Sequence, residues 1–393
     1  MATKSTNRFA HPFFTNTPIE QRKTISGVGK RMTDHIKTKL EKIPDPKRDP
    51  PTMTLAEIIG EEGARGVESS GSIIFHTTGD TGHENGQDQE YVADAMTEDF
   101  NINTPAKSPA FFLHLGDVNY YDNTDRGYHA QFFVPYRKYP GKIIAIPGNH
   151  DGEIFKFDGT STGQKTTLEA FQKNFCRSTP GVPSATGTIY REMVSQPGVY
   201  WLLDAPFAQI IGLYSNVAEN PGFIQADSIG KKQMTWLTKT LKVIKAQRDK
   251  GKRKALFIAV HHPPFSHGSH SSSTEMLADI DKACDVSSLM PDVVLAAHAH
   301  SYQRYTRYLS FKGKDMQIPF LVVGAGGRGI QKVDVANGQR MGDHTYDKSL
   351  AGFGYLAVTV SQKEIAMEFF HVDGTKKGLF DTIRVNISSN MVE

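Results

Sequence analysis

Five segments of the chain end in polar side chains of the kinds that bind metal ions. Each of these comes shortly after a short apolar run: Asp80, Asp117, Asn149-His150, His261 and His298-x-His300. If the apolar runs are strands of α/β sheets, their carboxyl ends are where ligands collect, and short loops there can aim side chains at one point. Because five separate runs share the feature, the pattern predicts one polar site rather than five structural accidents.

The residue types in this set suggest a pair of metal ions. The chain holds 15 histidines, and six of them fall between residues 261 and 300. Imidazole nitrogens, an Asn carbonyl and carboxylates together suit borderline divalent metals such as Zn, Mn or Fe(II). An Asp placed between two cations can bridge them, and the cations would lower the pKa of a bound water from ~15.7 towards ~7. The predicted chemistry is hydrolysis of a phosphate ester by in-line attack of metal-bound hydroxide.

The elements that must position this set are short strands and longer helices. The predicted strands that precede the polar residues are Ser72–His76, Ala110–Leu115, Lys142–Ile146, Ala255–Val260 and Asp292–Ala297. An amphipathic pattern predicts a helix over Asp227–Lys250, with Asp227 as its N-cap. A run of further strands closes the chain. Strands alternating with helices and followed by more strands indicate an α/β protein with mixed sheets.

The first 70 residues have a different character. Residues 1–50 carry 11 Lys and Arg against five Asp and Glu, whereas the whole chain has 45 against 42 and a net charge of +3. One amphipathic helix is predicted over Ile25–Ile43, four prolines make 44–51 an extended linker, and Gly60–Ser72 is expected to be a loop or a covering segment. A nucleic-acid or partner-binding arm is the alternative, but aromatic residues do not interleave with the basic ones. We therefore expect no nucleic-acid partner, a basic extension and linker over 1–70, and a catalytic domain over 71–393.

Composition excludes several classes of protein. With 38% hydrophobic and 22% charged residues, the chain is not wholly disordered. No apolar run approaches the ~20 residues that span a bilayer, so no membrane association is expected. Residues 1–14 contain no continuous apolar stretch of the secretory kind, which favours a cytoplasmic location. Two cysteines, Cys176 and Cys284, exclude a disulfide framework, and whether they pair is open, as is the oligomeric state.

The motifs occur in an order that resembles a known superfamily. The segments are Asp80-Thr81-Gly82, Gly116-Asp117-Val118-Asn119-Tyr120, Gly148-Asn149-His150-Asp151, Ile258-Ala259-Val260-His261 and Ala297-His298-Ala299-His300. Together they look like the calcineurin-like metallophosphoesterase superfamily, and among its members they resemble the purple acid phosphatases most closely. The resemblance runs from about Ser72 to the end of the chain. It implies an α/β fold of two mixed sheets in a four-layer α/β/β/α sandwich.

The resemblance also implies a ligand set. It assigns Asp80, Tyr120 and His300 to the first metal, Asn149, His261 and His298 to the second, and Asp117 to the bridge between them. Other members of the superfamily have His where Gly82 stands, and they lack the tyrosine. A phenolate is a hard anionic ligand and favours Fe(III). The expected cofactors are therefore two metal ions, Fe(III) with a divalent Fe, Zn or Mn.

Two further histidines receive catalytic roles by the same resemblance. His150 corresponds to a phosphate-contacting residue, with Asp151 as its expected orienting partner. His270, nine residues after His261, corresponds to a histidine that binds substrate or protonates the leaving oxygen. The expected function is hydrolysis of phosphomonoesters, as in acid phosphatases. The alternatives are a phosphodiesterase or nucleotidase with two divalent metals and, in another class, a metal-bound binding protein without turnover.

Overall fold

The computed structural model describes residues 33–83 and 86–393. The strands are β1 Thr52–Thr54, β2 Ser72–Thr78, β3 Phe111–His114, β4 Lys142–Ala145, β5 Trp201–Asp204, β6 Ala208–Gly212, β7 Ala255–Ala259, β8 Val293–Ala296, β9 Tyr302–Phe311, β10 Lys314–Val323, β11 Arg340–Met341, β12 His344–Leu350, β13 Phe353–Ser361, β14 Glu364–Asp373, β15 Lys376–Asn386 and β16 Met391–Val392. The α-helices are α1 Leu55–Ser70, α2 Gln87–Thr97, α3 Asp125–Tyr128, α4 Asn149–Gly152, α5 Glu169–Phe175, α6 Lys232–Asp249 and α7 Thr274–Ser287, and residues 33–37 are also helical.

The strands form two mixed sheets. One has nine strands in the order β1-β5-β6-β7-β8-β10-β9-β12-β11, and the other has seven in the order β16-β15-β14-β13-β2-β3-β4. Within the first sheet β6, β7, β8 and β10 run parallel, and within the second β2, β3 and β4 do. Each sheet therefore brings the carboxyl ends of several neighbouring strands to one edge.

Side chains of the central strands point alternately to the two faces of each sheet. One face packs against the other sheet, and the opposite face packs against the helices. In β7, Phe257 belongs to the core between the sheets, whereas Leu256 and Ile258 belong to the core shared with the helices. Phe75 of the other sheet meets Phe257 edge-on, with ring centroids 5.6 Å apart. Successive side chains of a strand point to opposite faces, and a strand buried on both faces reads as a continuous apolar run. The predicted α/β fold of two mixed sheets is confirmed.

The prediction of a loop over Gly60–Ser72 is wrong, because most of this stretch belongs to α1. Thr54 caps the helix: its side chain accepts a hydrogen bond from the Glu57 backbone N–H, and the Glu57 carboxylate accepts one from the Thr54 N–H. Gly60 interrupts the helix with φ 81°, and Gly71 ends it with φ 81°. Its glycines and glutamates gave the stretch Gly60–Ser72 the composition of a loop. The buried side chains that anchor the helix include Leu55 and Ile58, which lie in the helix before this stretch begins.

Two other boundaries differ from the sequence prediction. The long helix α6 begins at Lys232, so Asp227 is not its N-cap. The helix predicted over Ile25–Ile43 lies partly outside the described residues, and of its described part only residues 33–37 are helical. The division at residue 70 stays a prediction, although β1 pairs in parallel with β5 inside the nine-stranded sheet.

The described part of the basic segment packs on the loop that follows β6. Leu40 forms a small apolar cluster with Ala218 and Phe223. The Glu41 N–H donates to the Asn216 side-chain oxygen at 3.0 Å, and the Asn216 amide donates back to the Glu41 carbonyl at 2.8 Å.

Cys176 and Cys284 are both buried and unpaired. Among the described residues, no helix combines the length and apolarity needed to cross a bilayer.

A partly buried polar network ties the turn after α2 to the seven-stranded sheet and gives a pH-dependent prediction. The Asp99 carboxylate contacts His76 Nε2 at 3.0 Å and accepts hydrogen bonds from Tyr355 and Lys377. Burial alone would raise the pKa of Asp99, but these partners lower it to about 2 from an ordinary 3.8. The network should therefore stabilise the fold fully above about pH 4 and lose that contribution as the pH falls towards 2.

Asp99→Asn should accordingly be less stable than the wild type at pH 6, and the difference should shrink on acidification. Urea unfolding of both proteins at pH 6, 4 and 3 measures it. A difference that stays constant over this range would contradict the assignment.

Candidate metal centre

The polar residues predicted at five strand ends lie together at one edge of the two sheets. Asp80 follows β2, Asp117 follows β3, His261 follows β7 and His298 follows β8. The His298 N–H donates to Asp80 Oδ2 at 2.6 Å, which joins the seven-stranded sheet to the nine-stranded one. His261 Nε2 lies 3.3 Å from Asp117 Oδ2, again across the two sheets.

Three of these residues adopt a backbone conformation that is rare outside glycine. Asp80, Asp117 and His298 have φ of 54°, 52° and 67°. Each such conformation costs on the order of 1–3 kcal/mol and persists only where the surroundings enforce it. At Asp80 a backbone hydrogen bond helps to hold it, because the Asp80 N–H donates to the Gly116 carbonyl at 3.0 Å. The unfavourable backbone conformation thus costs folding stability, and it directs these three side chains towards the site.

Three oxygen and nitrogen atoms form a first candidate ligand group. The Tyr120 hydroxyl lies 3.1 Å from Asp80 Oδ1 and 3.1 Å from His300 Nε2, and these two atoms are 3.6 Å apart. Asp80 is fully buried, and Tyr120 is almost so. The site brings together the three residues that the sequence assigned to a first metal.

A second candidate group lies around Asp117, and three of its atoms lack hydrogen-bond partners. Asp117, His261 and His298 each offer an atom within 4.8 Å of the other two. His261 Nε2, His298 Nε2 and Asn149 Oδ1 are buried and make no hydrogen bond. Buried polar atoms without a partner are costly, so such a convergence requires an explanation. A bound cation would supply it, and the donor set of nitrogens and oxygens fits one.

Hydrogen bonds outside the two groups fix how the ligand atoms point. His261 Nδ1 contacts the Leu115 carbonyl at 2.8 Å, which turns Nε2 towards Asp117. The Gln131 side chain accepts from the Tyr120 N–H at 2.9 Å and donates to the Tyr120 carbonyl at 3.0 Å. Gln131 lies eleven residues after Tyr120. Its role was not predicted, because no sequence motif identifies a glutamine that hydrogen-bonds the backbone of another loop residue.

The protein's own charges polarise the site. Burial, and then the negative charge of Asp117, raise the pKa of Asp80 to about 7. Burial would also raise the pKa of Asp117, but the positive charges of His261 and His150 hold it well below its usual range. Burial opposes the charging of His261, yet Asp117 and Asp80 raise its pKa to about 9. Asp117 is therefore the carboxylate that stays ionised in the centre of the site.

His150 lies beside the candidate ligands, with a partner other than the one expected. Its ring centroid lies 4.5 Å from that of Tyr120, with the two ring planes tilted by 44°, and its Nδ1 contacts Glu153 Oε2 at 2.8 Å. Asp151 instead accepts backbone N–H bonds from Gly148 and Val118, so the expected Asp151 partnership is wrong. Although burial opposes it, Asp117 and Glu153 raise the pKa of His150 to about 10. A cationic His150 can donate a hydrogen bond to an anionic ligand.

Glu219 is another acidic neighbour that the sequence did not reveal. It accepts a hydrogen bond from the Asn149 amide at 3.3 Å and lies with Glu153 around His150. Burial raises the pKa of Glu219. The side of the site next to His150 is therefore rich in carboxylates. Glu219 stands in the loop after β6, where no recognisable motif occurs.

His270 reaches the site through contacts with two side-chain amides. The Asn220 amide nitrogen lies 2.8 Å from its Nδ1, and the Gln331 amide nitrogen lies 2.8 Å from its Nε2. Its ring is 4.2 Å from that of His298. Burial, and then the charge of His261, lower the pKa of His270 to about 4. His270 is thus positioned at the site, in surroundings that favour the neutral imidazole.

His270→Ala separates the two roles that the sequence allowed. If His270 protonates the leaving oxygen, the variant should lose about 10²–10⁴-fold more activity on alkyl phosphates, whose alkoxides leave poorly, than on aryl phosphates. Steady-state rates on one substrate of each kind measure this, with Asn220→Ala as a control that keeps the imidazole. Equal losses on both substrates would make His270 a residue that only binds substrate.

Comparison with known proteins assigns the chain to a family. The sequence profile described as calcineurin-like phosphoesterase matches residues 75–302, which include all five motifs. The chain therefore belongs to the calcineurin-like phosphoesterase family, whose members typically use two divalent metal ions. No curated protein matches the sequence.

Solved structures resemble the chain in fold at low sequence identity. GAP50, the anchor in the inner membrane complex of Plasmodium, superposes with a TM-score of 0.55 at 12% identity, over 80% of this chain and 89% of its own. PhoD gives a TM-score of 0.48 at 14% identity, over 89% of this chain and 73% of its own. Vps29 of Cryptosporidium parvum gives 0.30 at 12% identity, over 80% and 98%. The likeness to GAP50 supports the fold.

Proposed function

We propose that the chain hydrolyses phosphomonoesters with an Fe(III)–M(II) pair, in the manner of purple acid phosphatases. Family membership makes the chain a metallophosphoesterase and suggests a metal-dependent phosphoesterase. The finer assignment rests on one observation, the Tyr120 hydroxyl at 3.1 Å from both Asp80 Oδ1 and His300 Nε2. A phenolate in that position favours Fe(III) over a divalent ion.

Gly82 supports the same assignment on steric grounds. A Cβ at this position would lie 2.7 Å from the Val118 carbonyl oxygen and 2.9 Å from Asn119 Cα. These backbone atoms belong to the loop that carries Tyr120. A histidine at position 82 and this course of the tyrosine loop are therefore mutually exclusive. The chain has the glycine, and Tyr120 supplies the ligand in its place.

The residues divide the work as follows. Asp80, Tyr120 and His300 would hold the first ion, Asn149, His261 and His298 the second, and Asp117 would be shared. When bound, the two cations neutralise phosphate oxygens and acidify water. His150, cationic beside Tyr120, donates a hydrogen bond to the substrate phosphate. His270, positioned by Asn220 and Gln331, stands next to His298 and contacts the substrate from that side.

The test combines metal analysis with a substrate panel. Protein purified after growth with iron, zinc and manganese should contain two metals per chain, one of them iron, and should cleave aryl and alkyl monoesters faster than diesters. Two divalent metals with a preference for diesters or nucleotides would instead assign a phosphodiesterase or nucleotidase. Bound metal without turnover on any ester would leave a binding protein. The cytoplasmic location expected from the sequence remains a proposal.

A further inference from the structure

A cavity of about 600 Å³ lies outside the candidate metal centre, between the linker 44–51, the start of β5 and the first half of α6. Its size suits a small organic ligand, because pockets for such ligands commonly measure roughly 300–1,000 Å³. Four of its lining residues carry flat rings, namely Pro46, Pro51, Tyr200 and Trp236. The cavity therefore has an apolar wall against which a flat ring can pack.

The two aromatic side chains of this wall have hydrogen-bond donors without acceptors. The Trp236 indole N–H is buried and makes no hydrogen bond. The Tyr200 hydroxyl makes none with any residue that the structure describes. Only 9% of Trp236 and 4% of Tyr200 is exposed, and their ring centroids are 5.0 Å apart. Buried Tyr and Trp usually find a partner for their polar atom, so two unused donors in one cavity wall indicate a ligand that carries acceptors.

The helix side of the cavity is positively charged. Lys231, Lys232 and Lys239 line it. Lys232 is paired with Asp45 at 2.8 Å, whereas Lys231 and Lys239 form no ion pair with another described residue. No side chain caps the first turn of α6, so the unbonded N–H groups and the positive end of the helix dipole add to the potential. This end of the cavity therefore favours an anionic group.

The linker side carries the acidic residues without cancelling this charge. Because Asp45 is paired with Lys232, and Arg48 with Glu57 at 2.6 Å, the described residues leave one aspartate, Asp49, against the two unpaired lysines. Burial, and then the negative charges of Asp45 and Asp49, raise the pKa of Tyr200 to about 12. The hydroxyl thus stays protonated at neutral pH and remains a donor. The cavity as a whole suits a ligand with a single negative charge.

We propose that this cavity binds a small aromatic carboxylate, with its ring against Tyr200 and Trp236 and its carboxylate towards Lys231 and Lys239. The two carboxylate oxygens accept the hydrogen bonds for which the tyrosine and tryptophan donors lack partners. An inorganic anion would leave the wall of rings unused, and the lysines would repel an aromatic amine. The inference is independent of the proposed phosphatase activity, because the cavity shares no residue with the metal centre.

The test uses the two tryptophans of the chain. Trp201 Nε1 donates to the Ala145 carbonyl at 3.2 Å in the core, so its indole signal is an internal reference. In a proton–nitrogen correlation spectrum of tryptophan-labelled protein, benzoate should shift the Trp236 indole signal with a Kd of about 1 mM or below and leave the Trp201 signal in place. Acetate lacks the ring and benzylamine lacks the negative charge, so both should bind at least about 10-fold more weakly.

Variants of the lining residues complete the experiment. Tyr200→Phe should weaken benzoate binding about 10-fold, because it removes a hydrogen bond to a charged acceptor. Lys231→Gln and Lys239→Gln should each weaken it about 3-fold. Lys242→Gln, at an exposed position of α6 outside the cavity, should bind like the wild type and controls for net charge. An unchanged Trp201 signal shows that a variant is folded.

Four outcomes would overturn the inference. They are a Trp236 signal that stays in place at about 10 times the expected Kd, equal binding of acetate and benzoate, wild-type affinity in Tyr200→Phe, and an equal loss of affinity in Lys242→Gln and the two cavity lysine variants.

Discussion

Asp117→Asn should remove most of the activity and disrupt the metal pair. The carboxylate is 1% exposed, its Oδ2 lies 3.3 Å from His261 Nε2, and its Oδ1 accepts the His150 N–H at 3.0 Å. Asn keeps the shape of the side chain and takes away the one negative charge that two cations would share. Loss of a residue that only supports a metal ligand costs about 10–100-fold, so loss of a shared ligand should cost more than about 100-fold in kcat/KM.

Elemental analysis and turnover measured on the same preparations check this prediction. The variant should hold fewer than two metals per chain. Asp204→Asn is the matched control, because Asp204 also ends a strand, β5, but at the opposite edge of the nine-stranded sheet, where it pairs with Lys254. The control should keep both metals and the wild-type rate. Wild-type stoichiometry and turnover in Asp117→Asn would refute the shared-ligand assignment.

Tyr120→Phe should abolish a visible absorption band that the iron-loaded wild type shows under oxidising conditions. A phenolate bound to Fe(III) transfers charge to the metal in visible light, whereas zinc and Mn(II) allow no such transition. Burial, and then the charges of Asp117 and Asp80, raise the pKa of Tyr120 well above its usual value. The protein alone therefore keeps the phenol protonated, and only a cation of high charge would ionise it. The band thus reports metal binding by this oxygen.

The variant should retain its fold, because a phenylalanine ring preserves the ring contacts with His150 and Arg328. It should also retain weak activity with two divalent metals. Tyr121→Phe is the matched control: Tyr121 is the neighbouring tyrosine, is 42% exposed and packs against the same His150, so its band should be unchanged. A wild type without the band, or a band that survives in Tyr120→Phe, would move the chain from the purple acid phosphatases to the general metallophosphoesterases.

The sequence by itself determined the fold class and predicted which polar side chains meet at the edge of the sheets. The predicted ligands Asp80, Asp117 and His261 each follow a strand within two or three residues, so the motif and the strand that positions it could be recognised together. The carboxyl ends of parallel strands share an edge, and this rule needs no coordinates. The same locality explains why the predicted ligand residues are brought together in the structure.

Contacts between distant segments were decided by the tertiary structure alone. α1 escaped recognition because its buried face begins before its glycine-rich part. The orienting carboxylate of His150 proved to be Glu153, and Asn220 and Gln331 come to His270 from 50 and 61 residues away. The cavity beside Trp236 arises where the linker 44–51 meets the first half of α6. Hydrophobic periodicity and motif spacing indicate which helix or strand a residue belongs to. The partner of a polar side chain depends instead on which loops lie next to each other, and the packing of the two sheets determines that.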